Sequence, residues 1–478
     1  MNRRKLLHSI VGCLSAAAIW PALSSAAPAE RRPNVVLILA DDLGWADLGC
    51  TGSTFYETPR LDHLATEGIL FTNAYAACPV CSPTRAALMT GRWPARVGIT
   101  DYIPGARIGK LLPAPYRHEL PHSEVTIAEA LKEAGYATGM FGKWHLGQSG
   151  YLPQTQGFDE SVSGENGRGF HLVDRADRTT GPALAFIEKH RDEPFFIYLP
   201  HNLVHTPLAA RPDLLAKYEK KAAAIAPSGE RFRPERQRQD RRVQDHPVYA
   251  AMMEDLDTNV GRVLDKLDAL ELAERTIVIF TSDNGGLSTS EGSPTSNAPL
   301  RAGKGWLYEG GVRVPLIVRW PGVVKPGGTS EERVTSTDFF PTILEMCGLA
   351  QHTEWQQDGV SIVGALKQSG PLPPRPLFWH YPHYGNQGGI PGGAIRQGDW
   401  KLIEFYEDNH VELYNLKDDP AERTDRAGAE PDRARELREM LAAWRKSVGA
   451  KMPTPNPDYV GETEVPGKKG GKKAKKNK

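Results

Sequence analysis

Asn34-Val-Val-Leu-Ile-Leu-Ala40 reads as a buried strand, and it stops abruptly at Asp41-Asp42. Its interior shows no apolar/polar alternation, so both faces need cover, as in the strands of a parallel sheet. The same habit recurs along the chain. Tyr136 to Phe141 runs into Gly142-Lys143-Trp144-His145, Pro194-Phe-Phe-Ile-Tyr-Leu199 leads to His201 and His205, and Thr276-Ile-Val-Ile-Phe280 ends at Asp283-Asn284. Helical patterns lie between these runs, among them Thr126 to Ala134 and Tyr249 to Leu270. Strands alternating with helices predict an α/β fold: a mainly parallel central sheet sandwiched by helices. Ligands in such sheets bind beyond the carboxyl ends of the strands, where all these polar residues fall.

The 478 residues suffice for a large domain and a smaller one. Pro371-Leu-Pro-Pro-Arg-Pro376 marks the expected boundary between a main domain, 32–370, and a small α+β subdomain, 371–452. In the latter, Gly393 to Ile403 and Val411 to Tyr414 predict antiparallel strands, and Pro431 to Ser447 predicts a helix with one apolar face. Ala222 to Asp245, rich in Arg, Gln, Glu and Pro, reads as an exposed insertion. Residues 453–478 read as a disordered, solvated Lys-rich tail.

Residues 1–27 read as a cleaved export signal, with a basic Asn2-Arg3-Arg4-Lys5, an apolar stretch to Trp20 and small residues at Ser24 to Ala27. The expectation is delivery to a periplasm or outside the cell, with twin-arginine export hinted by Arg3-Arg4. Lipoprotein processing at Cys13 is the minor alternative. The apolar stretch is too short and interrupted for stable membrane insertion. The net charge of zero hides an asymmetry: setting aside three positive charges at the start and seven lysines at the end leaves a body near −10. That excludes a nucleic-acid-binding body, which needs clustered basic residues. Cys50, Cys78 and Cys347 read as buried thiols, too few for a disulfide framework in a chain this long.

Asp41, Asp42, Asp283 and Asn284 form a hard-oxygen set suited to Ca²⁺ or Mg²⁺. Each pair alone would read as a cap or a turn. Two pairs closing two buried strands favour metal. In Pro79-Val-Cys81-Ser-Pro83-Thr-Arg85, Pro83 suits the first turn of a helix. Cys81 then sits at a helix N-terminus, which attracts anions, with Arg85 one turn onward. A redox pair Cys78/Cys81 is the bland alternative, without a thioredoxin-like context.

This stretch, continuing to Gly91, resembles the C-x-P-x-R signature of type I, formylglycine-dependent sulfatases in the alkaline-phosphatase superfamily. Gly135-Tyr-Ala-Thr-Gly-Met-Phe-Gly142-Lys143-Trp144-His145 is similar to the family's second signature, departing at Phe141, where the family usually carries a smaller side chain. The resemblance covers about Arg32 to Val448, closest in look to arylsulfatase A, N-acetylgalactosamine-6-sulfatase and bacterial carbohydrate sulfatases. It implies that Cys81 is oxidised to formylglycine by a formylglycine-generating enzyme. It also implies Ca²⁺, with Mg²⁺ less expected, on Asp41, Asp42, Asp283, Asn284 and modified residue 81. Catalytic roles fall by the same resemblance on Cys81, Arg85, Lys143, His145, His205 and Lys304. The implied substrate is a sulfated saccharide, galactose or N-acetylgalactosamine in type, attacked at a chain end. His201, Arg96, Asp101, His171, His383 and Tyr384 are candidate substrate contacts, with Arg168 as a further one. A phosphonate or phosphodiester hydrolase and a non-catalytic glycan-binding protein are the rival readings.

Overall fold

The central strand Asn34–Ala40 pairs in parallel with Phe195–Pro200 on one side and Thr276–Ser282 on the other. From edge to edge the large sheet runs Gly328–Ser330, Ile69–Tyr75, Arg313–Arg319, Thr276–Ser282, Asn34–Ala40, Phe195–Pro200, Ala137–Gly142, Glu160–Ser163, with Val334–Thr335 also pairing to Ile69–Tyr75. Only Arg313–Arg319 runs antiparallel to its neighbours. The computed structural model describes residues 32–163, 175–225, 229–352, 354–355 and 358–460. Residues 1–27, read from the sequence as an export signal, and the candidates His171 and Arg168 therefore lie outside the described residues.

The two faces of the first strand show why its sequence is apolar throughout. Val35, Leu37 and Leu39 enter one core with the helices Cys81–Thr90, Ile127–Glu133 and Phe339–Met346. Val36, Ile38 and Ala40 enter a second core, built from Pro59–Glu67, Arg175–Lys189, Pro212–Ala224 and Pro247–Ala269. Side chains alternate across a strand, so a sheet covered on both sides needs hydrophobes at every position. Thr126 caps its helix by the predicted register: its hydroxyl accepts from Glu129 N–H while Glu129 returns to the Thr126 N–H.

A second, four-stranded antiparallel sheet comprises Leu377–Tyr381, Gly392–Gln397, Trp400–Phe405 and Val411–Asn415. Helix Pro431–Ser447 covers one face through Leu437, Leu441 and Trp444. The other face packs Trp379 and Ile403 on Trp306 and Tyr308. Both sheets belong to one compact unit beginning at Arg32. Buried charges fasten the small sheet to the segment before Arg313. Lys401 Nζ lies 2.9 Å from Glu309 Oε1 and 3.0 Å from Glu422 Oε1, all three side chains being fully buried. Glu422 Oε2 accepts the Glu309 N–H at 2.6 Å, and Tyr75 donates to Glu309 Oε2 at 2.7 Å.

The aromatic stretch at His380 begins as strand Leu377–Tyr381, because Trp379 and Tyr381 fill the core beneath. Two expectations change. The segment 222–245 is no simple exposed insertion: it forms the hairpin Phe232–Glu235/Arg238–Arg241, with Asp240 and Arg241 buried. The tail is ordered at its start, where Thr454–Pro455 pairs with Leu111–Leu112; residues 461–478 lie outside the described residues. No helix among the described residues is long and apolar enough to cross a membrane.

Candidate active site

Strand ends build the site. Asp41 and Asp42 follow Asn34–Ala40, Lys143 follows Ala137–Gly142, His201 and His205 follow Phe195–Pro200, and Asp283 and Asn284 follow Thr276–Ser282. Of these, Asp41, Lys143 and His205 line a cleft of about 250 Å³, together with Cys81, His145 and Lys304. Backbone geometry fixes several of these. Gly142 has φ 132°, and a Cβ there would stand 1.9 Å from the Pro200 carbonyl oxygen; only glycine lets the two strand ends close up before Lys143.

Cys81 begins the helix Cys81–Thr90, preceded by extended Val80, which makes no side-chain cap. The first amides of this helix therefore face the cleft without a capping side chain. Cys81 is 2% exposed. One turn on, Arg85 is fully buried and gathers three strand ends. Its Nε and Nη2 donate to Asp283 Oδ2 at 2.9 and 2.6 Å, Nη1 donates to the Lys143 carbonyl at 2.7 Å, and Nη2 lies 3.5 Å from Asp41 Oδ2.

Each lysine meets one acid. Lys143 Nζ donates to Asp41 Oδ2 at 2.6 Å, and Lys304 Nζ lies 2.7 Å from Asp42 Oδ1. Burial is the largest effect and opposes both ammonium charges, but the anionic neighbours together, led by Asp41 for Lys143 and by Asp42 for Lys304, raise both lysines above the ordinary range. Burial would raise Asp41, yet Lys143, His205, Arg85 and Lys304 together hold it well below the usual carboxylate range. Asp283 moves the other way, to about 6, pushed by burial and by the Asp41 charge against Arg85.

The oxygen set fits a cation on a separate count. Asp41 Oδ1 and Asn284 Oδ1 are buried without any hydrogen-bond partner, and such atoms normally find one. Asn284 Nδ2 donates to Asp42 Oδ1 at 2.8 Å and to the Gly285 carbonyl at 3.0 Å, and its oxygen is left without a donor. Asp41, Asp42 and His205 each offer a ligand atom within 4.8 Å of the others. Oxygen-rich, carboxylate-dominated surroundings suit a hard divalent ion.

His145 Nε2–H donates to the Ile103 carbonyl at 2.6 Å, because a carbonyl can only accept. That tautomer leaves the Nδ1 lone pair 3.2 Å from Cys81 Sγ. Burial, then Lys143, pushes His145 well below its ordinary pKa, so the ring is a neutral base. His205 Nδ1–H donates to the Thr206 carbonyl at 2.5 Å, with Nε2 3.6 Å from Asp42 Oδ2; burial and Lys304 lower its pKa as well. Burial, the larger effect, raises the Cys81 thiol despite Lys143 and Lys304.

The suggested substrate contacts fare differently. Arg96 is spent on a two-pronged pair with Asp358, at 2.9 Å each, away from the cleft. Asp101 turns inward to the Tyr381 hydroxyl at 3.1 Å, and His383 to Thr100 at 2.9 Å. Tyr384 donates to Glu407 at 2.7 Å, and His201 is wholly buried behind the strand end. None of these five lines the cleft. Its rim is instead Tyr102, Asn202, Thr206, Glu291, Asn386 and Gln387. Asn202 and Thr206 flank the histidines already singled out, and Asn386 and Gln387 lie just past Tyr384. Nothing in the sequence marked Tyr102 or Glu291. Phe141, the departure from the signature, points into the second core and meets Phe186 edge-on at 5.6 Å.

Several known proteins are similar to this chain. The family model described as Sulfatase matches residues 33–349, and that described as N-sulphoglucosamine sulphohydrolase, C-terminal, matches 302–446. A sulfatase of Formosa agariphila is 33% identical, with 90% of this chain and 94% of that protein covered. The N-acetylgalactosamine-6-sulfatase of Homo sapiens is 34% identical over 74% of this chain and 69% of its own. The crystal structure of Ps i-CgsB in complex with k-i-k-neocarrahexaose superposes with a TM-score of 0.74 at 28% identity, covering 87% of this chain and 93% of that one. Since the match runs from the first strand through helix Phe339–Met346 and extends over most of each relative, the chain belongs to the type I sulfatase family and is a sulfuric ester hydrolase.

Proposed function

We propose that the protein releases sulfate from the end residue of galactose- or N-acetylgalactosamine-type saccharides, with Cys81 oxidised to formylglycine. The observation that carries this reading is the meeting of Lys143, Lys304, neutral His145 and the uncapped helix start at residue 81 in one cleft. The relatives named for N-acetylgalactosamine-6-sulfate and bound to neocarrahexaose support a sugar as the alcohol.

Asp41, Asp42, Asp283 and Asn284 would hold the cation, a hard divalent ion for which the family resemblance implies Ca²⁺ ahead of Mg²⁺. Bound there, it supplies positive charge against the sulfate oxygens and lowers the pKa of a hydroxyl beside it. Cys81 Sγ stands where the oxygens of the oxidised side chain would be, which offer one hydroxyl as nucleophile and a second to release the sulfate. The chain's own residues do the rest. Lys143 and Lys304 bind the anionic group and offset the charge it carries in the transition state. His145 Nδ1 takes a proton at residue 81. The charged Lys304, or His205 when protonated at Nε2 opposite Asp42, gives one to the departing sugar oxygen. Arg85 holds Asp283 and the Lys143 backbone in place. The N-terminal pattern supports export, and a formylglycine-generating enzyme acts as the maturation partner.

The test is sulfate release from 4-nitrophenyl sulfate and from monosulfated galactose and N-acetylgalactosamine, with Cys81→Ala as control. Mass analysis of the peptide bearing residue 81 reports loss of the thiol sulfur. Equal activity in the control, or clear preference for a phosphate diester, refutes the reading.

A further inference from the structure

Glu291 is the one acid of the cleft wall outside the cluster at the strand ends. Its carboxylate has no Lys, Arg or His nitrogen within 4.0 Å among the described residues, and the side chains that donate to it are neutral. Thr206 donates to Oε2 at 2.8 Å, while Asn386 Nδ2 and, at 3.4 Å, Gln387 Nε2 approach Oε1. These three partners line the same cleft. The backbone holds the carboxylate there at a cost: Glu291, Gly292 and Ser293 have φ of 53°, 92° and 43°, a left-handed run that non-glycine residues avoid.

A lone negative charge on the wall of a cleft that must admit an anion is unfavourable for binding unless it performs a separate task. The sulfate end is set by Lys143, Lys304 and residue 81, so Glu291 faces the part of the substrate that carries the ester. A carboxylate can only accept hydrogen bonds, and it repels other anions. Hydroxyl or amide N–H groups of a sugar satisfy it. A second sulfate or a uronate carboxylate beside the scissile group does not.

We propose that Glu291 is a specificity-determining residue that accepts hydrogen bonds from the sulfated sugar and excludes sugars bearing a second acidic group next to the scissile ester. This rests on the sulfatase reading above and narrows its substrate class. Asn386, Gln387 and Thr206 act as positioning residues, since their donors aim the carboxylate.

The experiment compares kcat/KM for matched methyl galactosides, one monosulfated and one carrying a further sulfate on the adjacent carbon, at fixed ionic strength, in wild type and Glu291→Gln. Expected is a wild-type preference for the monosulfated sugar that falls on the order of tenfold in the variant, as a charged acceptor becomes a neutral amide. Thr206→Val, which removes one donor, should move the ratio in the same direction by less. A wild-type preference for the disulfated sugar, or a ratio unmoved by Glu291→Gln, overturns the proposal. Wild-type turnover of 4-nitrophenyl sulfate, measured alongside, tests the sulfatase reading by itself.

Discussion

Replacing Lys401 by methionine removes the one cation within ion-pair distance of Glu422 among the described residues, while the equally buried Glu309 keeps Arg313 at 3.7 Å and Arg396 at 3.9 Å. Deleting one partner from a buried ion pair typically costs about 3–5 kcal/mol. With an unfolding entropy of about 2.1 cal/mol/K per residue over roughly 400 ordered residues, 1 kcal/mol shifts Tm by about 1.2 °C, so Lys401→Met should lose about 4–6 °C. The loss should depend on pH. Burial first, opposed by Lys401 and reinforced by Glu309, raises the Glu422 carboxyl to about 7 from an unfolded value of 4.5. A carboxyl with a raised folded pKa contributes stability that is complete below pH 4.5 and is lost as pH rises through about 7. Without Lys401 that carboxyl is raised further, so the gap to wild type should be smaller at pH 5 than at pH 8, the loss of the Lys401–Glu309 contact being common to both. Scanning fluorimetry at fixed heating rate across this range measures it, and adding Glu422→Gln to Lys401→Met should restore part of the Tm. A loss under 1 °C at pH 8, or one independent of pH, would refute the reasoning.

Arg85→Lys keeps the charge but cannot reproduce the fork that holds Asp283 and the Lys143 carbonyl; kcat/KM for 4-nitrophenyl sulfate should fall about 100-fold with a cooperative melt retained. Gly142→Ala forces a Cβ against the Pro200 carbonyl in a left-handed backbone, so soluble yield should collapse; wild-type yield with full activity would count against the close approach. Exhaustive chelation should lower both activity and Tm, and Ca²⁺ should restore them at lower concentration than Mg²⁺, as checked by calorimetry and sulfate release.

The frame of the fold was legible because buried parallel strands announce themselves. Val35 through Leu39 must bury alternate side chains in two different cores, and no amphipathic pattern can satisfy that. The strand-end acids and His145 were legible for a related reason, since polar groups that close such strands have one place to go. The antiparallel course of Arg313–Arg319 left no trace, because a strand flanked on both sides reads the same in either direction. The rim failed for a different cause. Arg96 looked like an anion contact until the fold brought Asp358 to it across 262 positions. Asp101 and His383 are polar residues turned into the interior, while Asn386 and Gln387, a few positions on, are the ones that reach the cleft. Irregular loops carry no period from which orientation can be read.

Arg85 sets residue 81 at a distance counted in helical turns. Four residues of helix separate them, a rise of about 6 Å, and the guanidinium is anchored to the ends of strands Ala137–Gly142 and Thr276–Ser282. The reacting centre is thus surveyed from the scaffold, while Glu291, Asn386 and Gln387 of the rim stand on stretches outside its strands and helices. Substitution at those rim positions leaves the anchors of the reacting centre in place, so the kind of alcohol accepted is open to change while the means of cutting it stays the same.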